Sequence, residues 1–325
     1  MENRMQRLLI TGFSGFVSRH FLNYLVEQNL SYEVLGVDVN PPRFALSDYE
    51  PTLAMSFRTV NLLDQDAVDQ ILEEFRPDYI LHLASFSSVA YSWEHPADCF
   101  RNNTNIFLNL TEGLRAHGLE ACRVLSVGSS EEYGNVAAEQ LPLVEDRPLI
   151  PVNPYAVARV SQEMMARVLV EGYGMNILLT WSFNHMGPFQ DERFVIPSFI
   201  RRILAIREAG ESEGEIETGD VSIIRDFVDV RDVVRAYYLL LMEGRPGEVY
   251  NICGGKGVAL ADVIREIGDI VGVQVKSRVN PAFVRPGDNQ IVIGSDEKIR
   301  RDIGWQAEIP LRKTLEDMVA YMSTN

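Results

Sequence analysis

Short apolar runs alternate with longer stretches of helical period through the first half of the chain. Arg7 to Thr11, Tyr32 to Asp38, Phe57 to Val60, Tyr79 to Leu83, Arg123 to Val127 and Asn176 to Phe183 are rich in Val, Ile, Leu and aromatics and read as buried strands. Between them, Phe16 to Glu27, Asp64 to Phe75, Pro96 to His117 and Pro154 to Glu171 have helical length, and several open on Asp or Pro as a helix start requires. Alternation on this scale implies right-handed crossovers and a parallel sheet covered on both faces, an α/β doubly wound fold.

After Phe183 the pattern loosens. Asn184 to Glu192 reads as a polar loop, Val195 to Ala209 as a helix and Ala209 to Gly219 as an acidic surface loop. Asp229 to Met242, Leu260 to Val271 and Leu311 to Met322 read as helices, with a buried strand at Val249 to Ile252. The expected organisation is a sheet unit from 1–183 and 226–252, and a smaller unit interleaved from 184–225 and 253–325, with a ligand cleft between them.

Composition narrows the classes. With 46% hydrophobic and 23% charged residues in 325, the chain can build a large core or two packed domains. A formal charge of -16 argues against nucleic acid or an anionic membrane surface as partner. No apolar run has the length of a membrane span and the start lacks a signal-peptide core, so a cytoplasmic location is expected. Cys99, Cys122 and Cys253 are odd in number and sit in apolar segments, which suits buried thiols, and no metal-ligand spacing is present.

Thr11-Gly12-Phe13-Ser14-Gly15-Phe16-Val17-Ser18 follows the first strand and opens the first helix. Glycines there allow a tight turn that brings backbone N–H groups to a pyrophosphate at the positive end of the helix dipole. Gly12, Ser14, Gly15, Phe16 and Val17 are the expected contacts, with Ser18 where a third Gly would pack helix on strand. Asp38, ending the second strand, is placed to accept from both adenosine ribose hydroxyls and would repel a 2'-phosphate, which favours NAD(H), with NADP(H) the alternative and Arg43 nearby in sequence.

Tyr155 and Arg159 stand four apart at the start of a helix introduced by Asn153-Pro154, on one face. Ser126 to Gly134 leaves the fifth strand at its carboxyl end with Ser129, Ser130 and Glu131, where an open sheet binds ligands.

These strings together resemble the extended short-chain dehydrogenase/reductases, Rossmann-fold enzymes, in the branch that modifies nucleotide-sugars. The resemblance covers nearly the whole chain. It rests on Thr11 to Gly15, His82-Leu-Ala84, Asn102 to Asn105, Ser129 to Gly134, Asn153 to Val157, Phe183-Asn-His-Met-Gly-Pro188, Arg225 to Asp229, Val249-Tyr-Asn-Ile-Cys253 and Arg285-Pro286. Within the branch the strings are most similar to GDP-4-keto-6-deoxy-D-mannose reductases and next to GDP-mannose 4,6-dehydratases.

The resemblance implies Tyr155 as general acid and Ser129 as its partner on the sugar oxygen. Family members carry a Lys four residues after the Tyr, to hold the nicotinamide ribose and stabilise the phenolate; here Arg159 stands instead. Glu131 occupies the position of the dehydratase base, with Ser130 as its partner, and Trp181 replaces a frequent Arg, which reads as altered packing beneath the cofactor loop. Asn61, Leu62, Leu83, Ala84, Ser85, Asn102, Val127 and Phe183 are implied along the dinucleotide. Ser87, Ser130 and Asn184 are implied at the sugar, Val195 and Ile196 at the base, Arg202, Arg225 and Arg285 at the diphosphate and Asp288 at its ribose. Homodimerisation through a four-helix interface made of Pro96 to His117 and Pro154 to Glu171 is implied as well. Three readings stay open: reduction of a 4-ketosugar; dehydration, epimerisation or 4-dehydrogenation of an NDP-hexose or heptose; and an impaired nucleotide-binding protein, motivated by Arg159 and Trp181.

Overall fold

A computed structural model describes residues 4–283 and 289–324. In chain order the regular elements are β1 (Arg7–Thr11), α1 (Phe16–Glu27), β2 (Glu33–Asp38), β3 (Ala54–Thr59), α2 (Gln65–Phe75), β4 (Tyr79–His82), α3 (Val89–Glu94), α4 (Pro96–Ala116), β5 (Arg123–Ser129), α5 (Pro154–Tyr173) and β6 (Ile177–Ser182). There follow β7 (Asn184–Met186), α6 (Val195–Glu208), β8 (Glu213–Thr218), β9 (Ile224–Asp229), α7 (Val230–Glu243), β10 (Val249–Ile252), β11 (Gly257–Ala259), α8 (Leu260–Val271), β12 (Gln274–Val279), β13 (Ile291–Val292), α9 (Glu297–Ile303) and α10 (Leu311–Thr324).

Seven strands form one parallel sheet in the order β10-β6-β5-β4-β1-β2-β3, so the order in which strands are added reverses between β1 and β4. Strands buried on both faces must be apolar at successive positions, and β1 divides its residues accordingly. Leu8 and Ile10 enter a core with Phe21, Leu22 and Tyr237 from α1 and α7, while Leu9 faces the opposite core with Val68, Phe107 and Leu110 from α2 and α4.

Local chemistry sets the helix boundaries. Asp64 caps α2 by accepting from the Ala67 N–H at 3.3 Å, and Asp229 caps α7 through the Arg231 N–H at 2.8 Å. Asn153 caps α5 through the Ala156 N–H at 2.8 Å with Pro154 behind it, and α5 ends at Gly174 in the left-handed region.

A third core packs α6, α8 and α10 around Phe199, Ile203, Val263, Ile267, Leu315 and Met318. It adjoins two small sheets, one of β11, β9 and β13 with β7 beside β9, the other of β12 and β8. The expectation of a surface loop from Ala209 to Gly219 is corrected: Glu213–Thr218 is a strand paired in parallel with Gln274–Val279. Its charged residues alternate with Ile216, which enters the third core, and Arg278 of β12 pairs with Glu215 and Glu217 at 2.7 Å each. The expected loop from Asn184 likewise begins as β7. Cys99, Cys122 and Cys253 are buried and free, and no helix among the described residues is long and apolar enough to cross a membrane.

Candidate active site

The turn between β1 and α1 lies where the sheet order reverses, the place at which an open parallel sheet leaves a crevice. Gly12 has φ +68, and a Cβ there would come within 2.8 Å of the Ala84 nitrogen and 2.9 Å of the Leu83 carbonyl carbon. Only glycine lets the turn lie against the end of β4. Gly15 takes the N-cap position of α1 and brings no side chain to the first-turn N–H groups. Asp38 closes the turn from β2: one carboxylate oxygen accepts the Ser14 N–H at 3.0 Å and the other accepts the Asn40 N–H at 3.1 Å. Open amide donors at a helix start, a turn with glycine at Gly12 and Gly15 and an acid at the adjacent strand end fit the pyrophosphate and ribose of a dinucleotide.

Beneath this turn, Thr11 binds the end of β4 twice. Its hydroxyl accepts the Ala84 N–H at 3.2 Å and shares a hydrogen bond with His82 Nδ1 at 2.9 Å. His82 is fully enclosed, and burial followed by the Arg159 charge lowers its imidazole to about 3, so it is neutral. Asn103 braces the next segment, accepting the Phe86 N–H at 2.8 Å and donating to the Phe86 carbonyl at 3.1 Å. Ser85, Ser87 and Asn102 are carried on the two elements so joined, with Ser87 exposed.

At the end of β5 the chain enters a single 3-10 turn, Ser130–Tyr133. The Ser129 hydroxyl accepts the Glu131 N–H at 3.2 Å and its N–H goes to Glu132 Oε1 at 2.8 Å, a capping box that fixes Ser129 at the sheet edge. Glu131 is therefore not the cap. Its carboxylate instead accepts from Asn153 Nδ2 at 2.9 Å, tying the turn to the first residue of the Asn153-Pro-Tyr155 string. Gly134, at φ +69, leaves the turn where a Cβ would collide with the Ile150 carbonyl.

On α5, Arg159 Nε donates to the Tyr155 hydroxyl at 3.3 Å. The guanidinium is 5% exposed and makes no ion pair among the described residues; its Nη1 donates to Gln162 Oε1 at 2.9 Å, and Gln162 Nε2 donates to Ser126 Oγ at 2.7 Å. A buried cation whose hydrogen bonds go to neutral acceptors acts on the hydroxyl it touches with little screening. Trp181 packs edge-on against Tyr133 at 4.6 Å and donates to Glu163 at 2.6 Å, so its position is core packing beneath the Ser129 turn. Val127 within β5 and Phe183 just after β6 are buried, and Asn184 is exposed.

The more distant candidates separate. Arg202 donates to the Glu217 carbonyl and lies 5.2 Å from the Phe283 ring, while Arg225 donates to the carbonyls of Ile224 at 3.1 Å and Asn289 at 2.7 Å. Arg202 thus meets the residue before 284–288 and Arg225 the residue after it; Arg285 and Asp288 lie outside the described residues. Val195, exposed, and Ile196, buried, open α6. Sequence patterning missed Glu132, Glu163, Gln162 and Asn103, because a buried polar side chain has no periodic signature that separates it from a solvated one.

A family profile described as GDP-mannose 4,6 dehydratase matches residues 9–318. The GDP-6-deoxy-D-mannose reductase of Pseudomonas aeruginosa is 32% identical over 97% of this chain and 96% of its own. Among solved structures, RMD from Pseudomonas aeruginosa complexed with NADPH has a TM-score of 0.82 at 30% identity, covering 98% of both chains. DesIV, a dTDP-glucose 4,6-dehydratase from Streptomyces venezuelae with NAD bound, gives 0.85 at 26% identity over 98% of both chains. With the glycine turn, the Ser129 turn and the Tyr155–Arg159 pair on one sheet edge, the chain belongs to the GDP-mannose 4,6-dehydratase family of extended short-chain dehydrogenase/reductases, NAD(P)-dependent enzymes that modify nucleotide-sugars.

Proposed function

We propose that this chain is an NAD(H)-using reductase of a GDP-linked 4-keto-6-deoxyhexose. The observation that carries the reading is the Tyr155 hydroxyl held by buried Arg159, on a helix whose N-cap Asn153 is bonded to the Ser129 turn. A bound nicotinamide coenzyme supplies the hydride. Tyr155 Oη then gives its proton to the sugar oxygen, and the hydrogen bond and charge of Arg159 stabilise the phenolate left behind. Ser129, whose oxygen already accepts the Glu131 N–H, keeps its own proton to donate to the same sugar oxygen. Asp38 receives the adenosine ribose beside Gly12, Ser14, Gly15, Phe16 and Val17, with Asn61, Leu62, Leu83, Ala84, Ser85, Asn102, Val127 and Phe183 along the dinucleotide. Ser87, Ser130 and Asn184 face the sugar, and Val195, Arg202, Arg225, Arg285 and Asp288 take the nucleotide.

The reading divides the chain into a dinucleotide unit, 1–183 with 226–252, and a nucleotide-sugar unit, 184–225 with 253–325, working in the cytoplasm. It also includes a homodimer. Val157, Met164, Met165 and Val168 form an exposed apolar stripe at helical spacing on α5, with Phe100 exposed on α4, which supports a four-helix interface. Mixing the protein with GDP-4-keto-6-deoxymannose and NADH tests the reaction: loss of NADH absorbance supports it, and none with either NADH or NADPH contradicts it. A second reading, redox-neutral 4,6-dehydration, is favoured by the Glu131 carboxylate on the same turn. It predicts product from GDP-mannose without net consumption of coenzyme.

A further inference from the structure

Beneath the Ser129 turn lies a group of ionisable side chains that the proposed chemistry does not use. Glu132 is 1% exposed and Glu163 5%. Glu132 Oε1 accepts the Ser129 N–H, while Oε2 meets no donor among the described residues, and the Glu163 carboxyl lies within hydrogen-bonding reach of the Glu132 side chain. Each Glu163 oxygen already has a donor: Oε2 accepts from Trp181 Nε1 at 2.6 Å, and Oε1 accepts from Arg167 at 2.9 Å, with lone pairs left to accept another.

Two buried carboxylates in contact repel one another with little water to screen them, and a proton held between them turns the repulsion into a hydrogen bond. The donor count places that proton. Glu163 already has two donors, whereas Glu132 has an oxygen with none, so Glu132 carries the proton and donates it to Glu163. Burial and then the Glu163 charge push the Glu132 carboxyl well above the usual carboxylate range, with the Ser129 N–H and Arg159 opposing. The remaining groups facing the pair are Arg159 and half-exposed Arg167 on α5 and neutral Trp181 on β6; Tyr133 of the same turn points its hydroxyl away, to Asn251 Oδ1 at 2.9 Å.

We propose that Glu132 and Glu163 are a proton-sharing acid pair that positions the catalytic turn, neutral Glu132 holding the Ser129 backbone while the single negative charge left on the pair is ion-paired to Arg167 at 2.9 Å and lies near buried Arg159. The positioning role rests on the reading of Ser129 and Tyr155 given above; the shared proton does not. Neither carboxyl touches the reacting atoms. Both act through Ser129 and Arg159.

Infrared spectra of the intact protein at neutral pH test the pair without substrate. A protonated-carboxyl band is expected in the wild type and is lost in Glu132→Gln, whose amide supplies an N–H in place of the shared proton. Asp226, pushed up to about 7 by burial, contributes a band that the variant keeps. Glu163→Gln, which offers the same N–H from the other side, gives the same loss and serves if the first variant does not fold. Glu132→Gln is expected to keep kcat within about threefold of wild type, and Glu132→Ala to lose about tenfold or more. An unchanged band in the folded variants overturns the shared proton. A folded Glu132→Gln that has lost the band and is as slow as Glu132→Ala overturns the positioning role. If the wild type reduces no nucleotide-sugar, the functional reading has failed and the infrared result still decides the pair.

Discussion

The Arg159 guanidinium donates to the Tyr155 hydroxyl at 3.3 Å from one turn further along α5, although it sits where relatives by resemblance carry a lysine. A lysine reaches such a hydroxyl with a compact ammonium. The guanidinium reaches it with Nε and spends Nη1 on Gln162, which fixes its plane. Arg159→Met, which removes the charge and leaves an unbranched apolar chain, is expected to lower kcat about a hundredfold in protein that is still folded, measured by steady-state kinetics with circular dichroism as the check on folding. Arg159→Lys is expected to retain most activity. Equal loss in both variants would mean that guanidinium geometry, and not charge, is what Tyr155 needs.

Tyr155→Phe removes the proton donor while leaving the ring in place. The expected loss of kcat is about 10²- to 10⁴-fold, with nucleotide-sugar affinity unchanged by calorimetry. Retained turnover would assign the proton to another group.

Gly12→Ala places a Cβ within 2.8 Å of the Ala84 nitrogen at φ +68. The expected cost is about 1–2 kcal/mol of stability, with coenzyme affinity weakened about tenfold or more as the turn lifts from β4. Thermal unfolding and NADH fluorescence titration read the two effects separately.

Both Asp38 oxygens are engaged by the Ser14 and Asn40 N–H groups, so the carboxylate is fixed toward the adenosine side of the turn. NADH is expected to bind at least about tenfold more tightly than NADPH, since a phosphate there meets a like charge. Asp38→Asn should narrow that ratio. An unchanged ratio would place the ribose elsewhere.

His82 gives the fold a pH dependence. Its imidazole falls from the ordinary 6.5 to about 3 on folding, so between those values the unfolded chain binds the proton and the folded chain does not. Its contribution is complete above 6.5 and is lost as pH falls toward 3, with a slope of up to about 1.4 kcal/mol per pH unit. Urea midpoints across that window should show a shallower acid limb in His82→Asn than in wild type.

The doubly wound core was legible because its strands are buried on both faces and its helices announce their ends. Phe16–Glu27, Val249–Ile252 and Leu260–Val271 occur with the boundaries that the patterning predicts. The strand Glu213–Thr218 was not legible. Its acidic residues resemble a loop, and what makes it a strand is a partner, Gln274–Val279, far along the chain. The same distinction holds at the site. Gly12, Asp38, Ser129, Tyr155 and Arg159 belong to strings with local constraints. Glu132 and Glu163 sit among surface-like neighbours in sequence, and their burial exists only once the Ser129 turn packs on α5.

The most direct test of the central claim is isotope transfer. NADH deuterated at its transferable position, incubated with the protein and GDP-4-keto-6-deoxymannose, is predicted to leave deuterium on carbon 4 of the product sugar with one coenzyme oxidised per sugar reduced. A product without deuterium, or sugar conversion that leaves the NADH unconsumed, would contradict the reductase account.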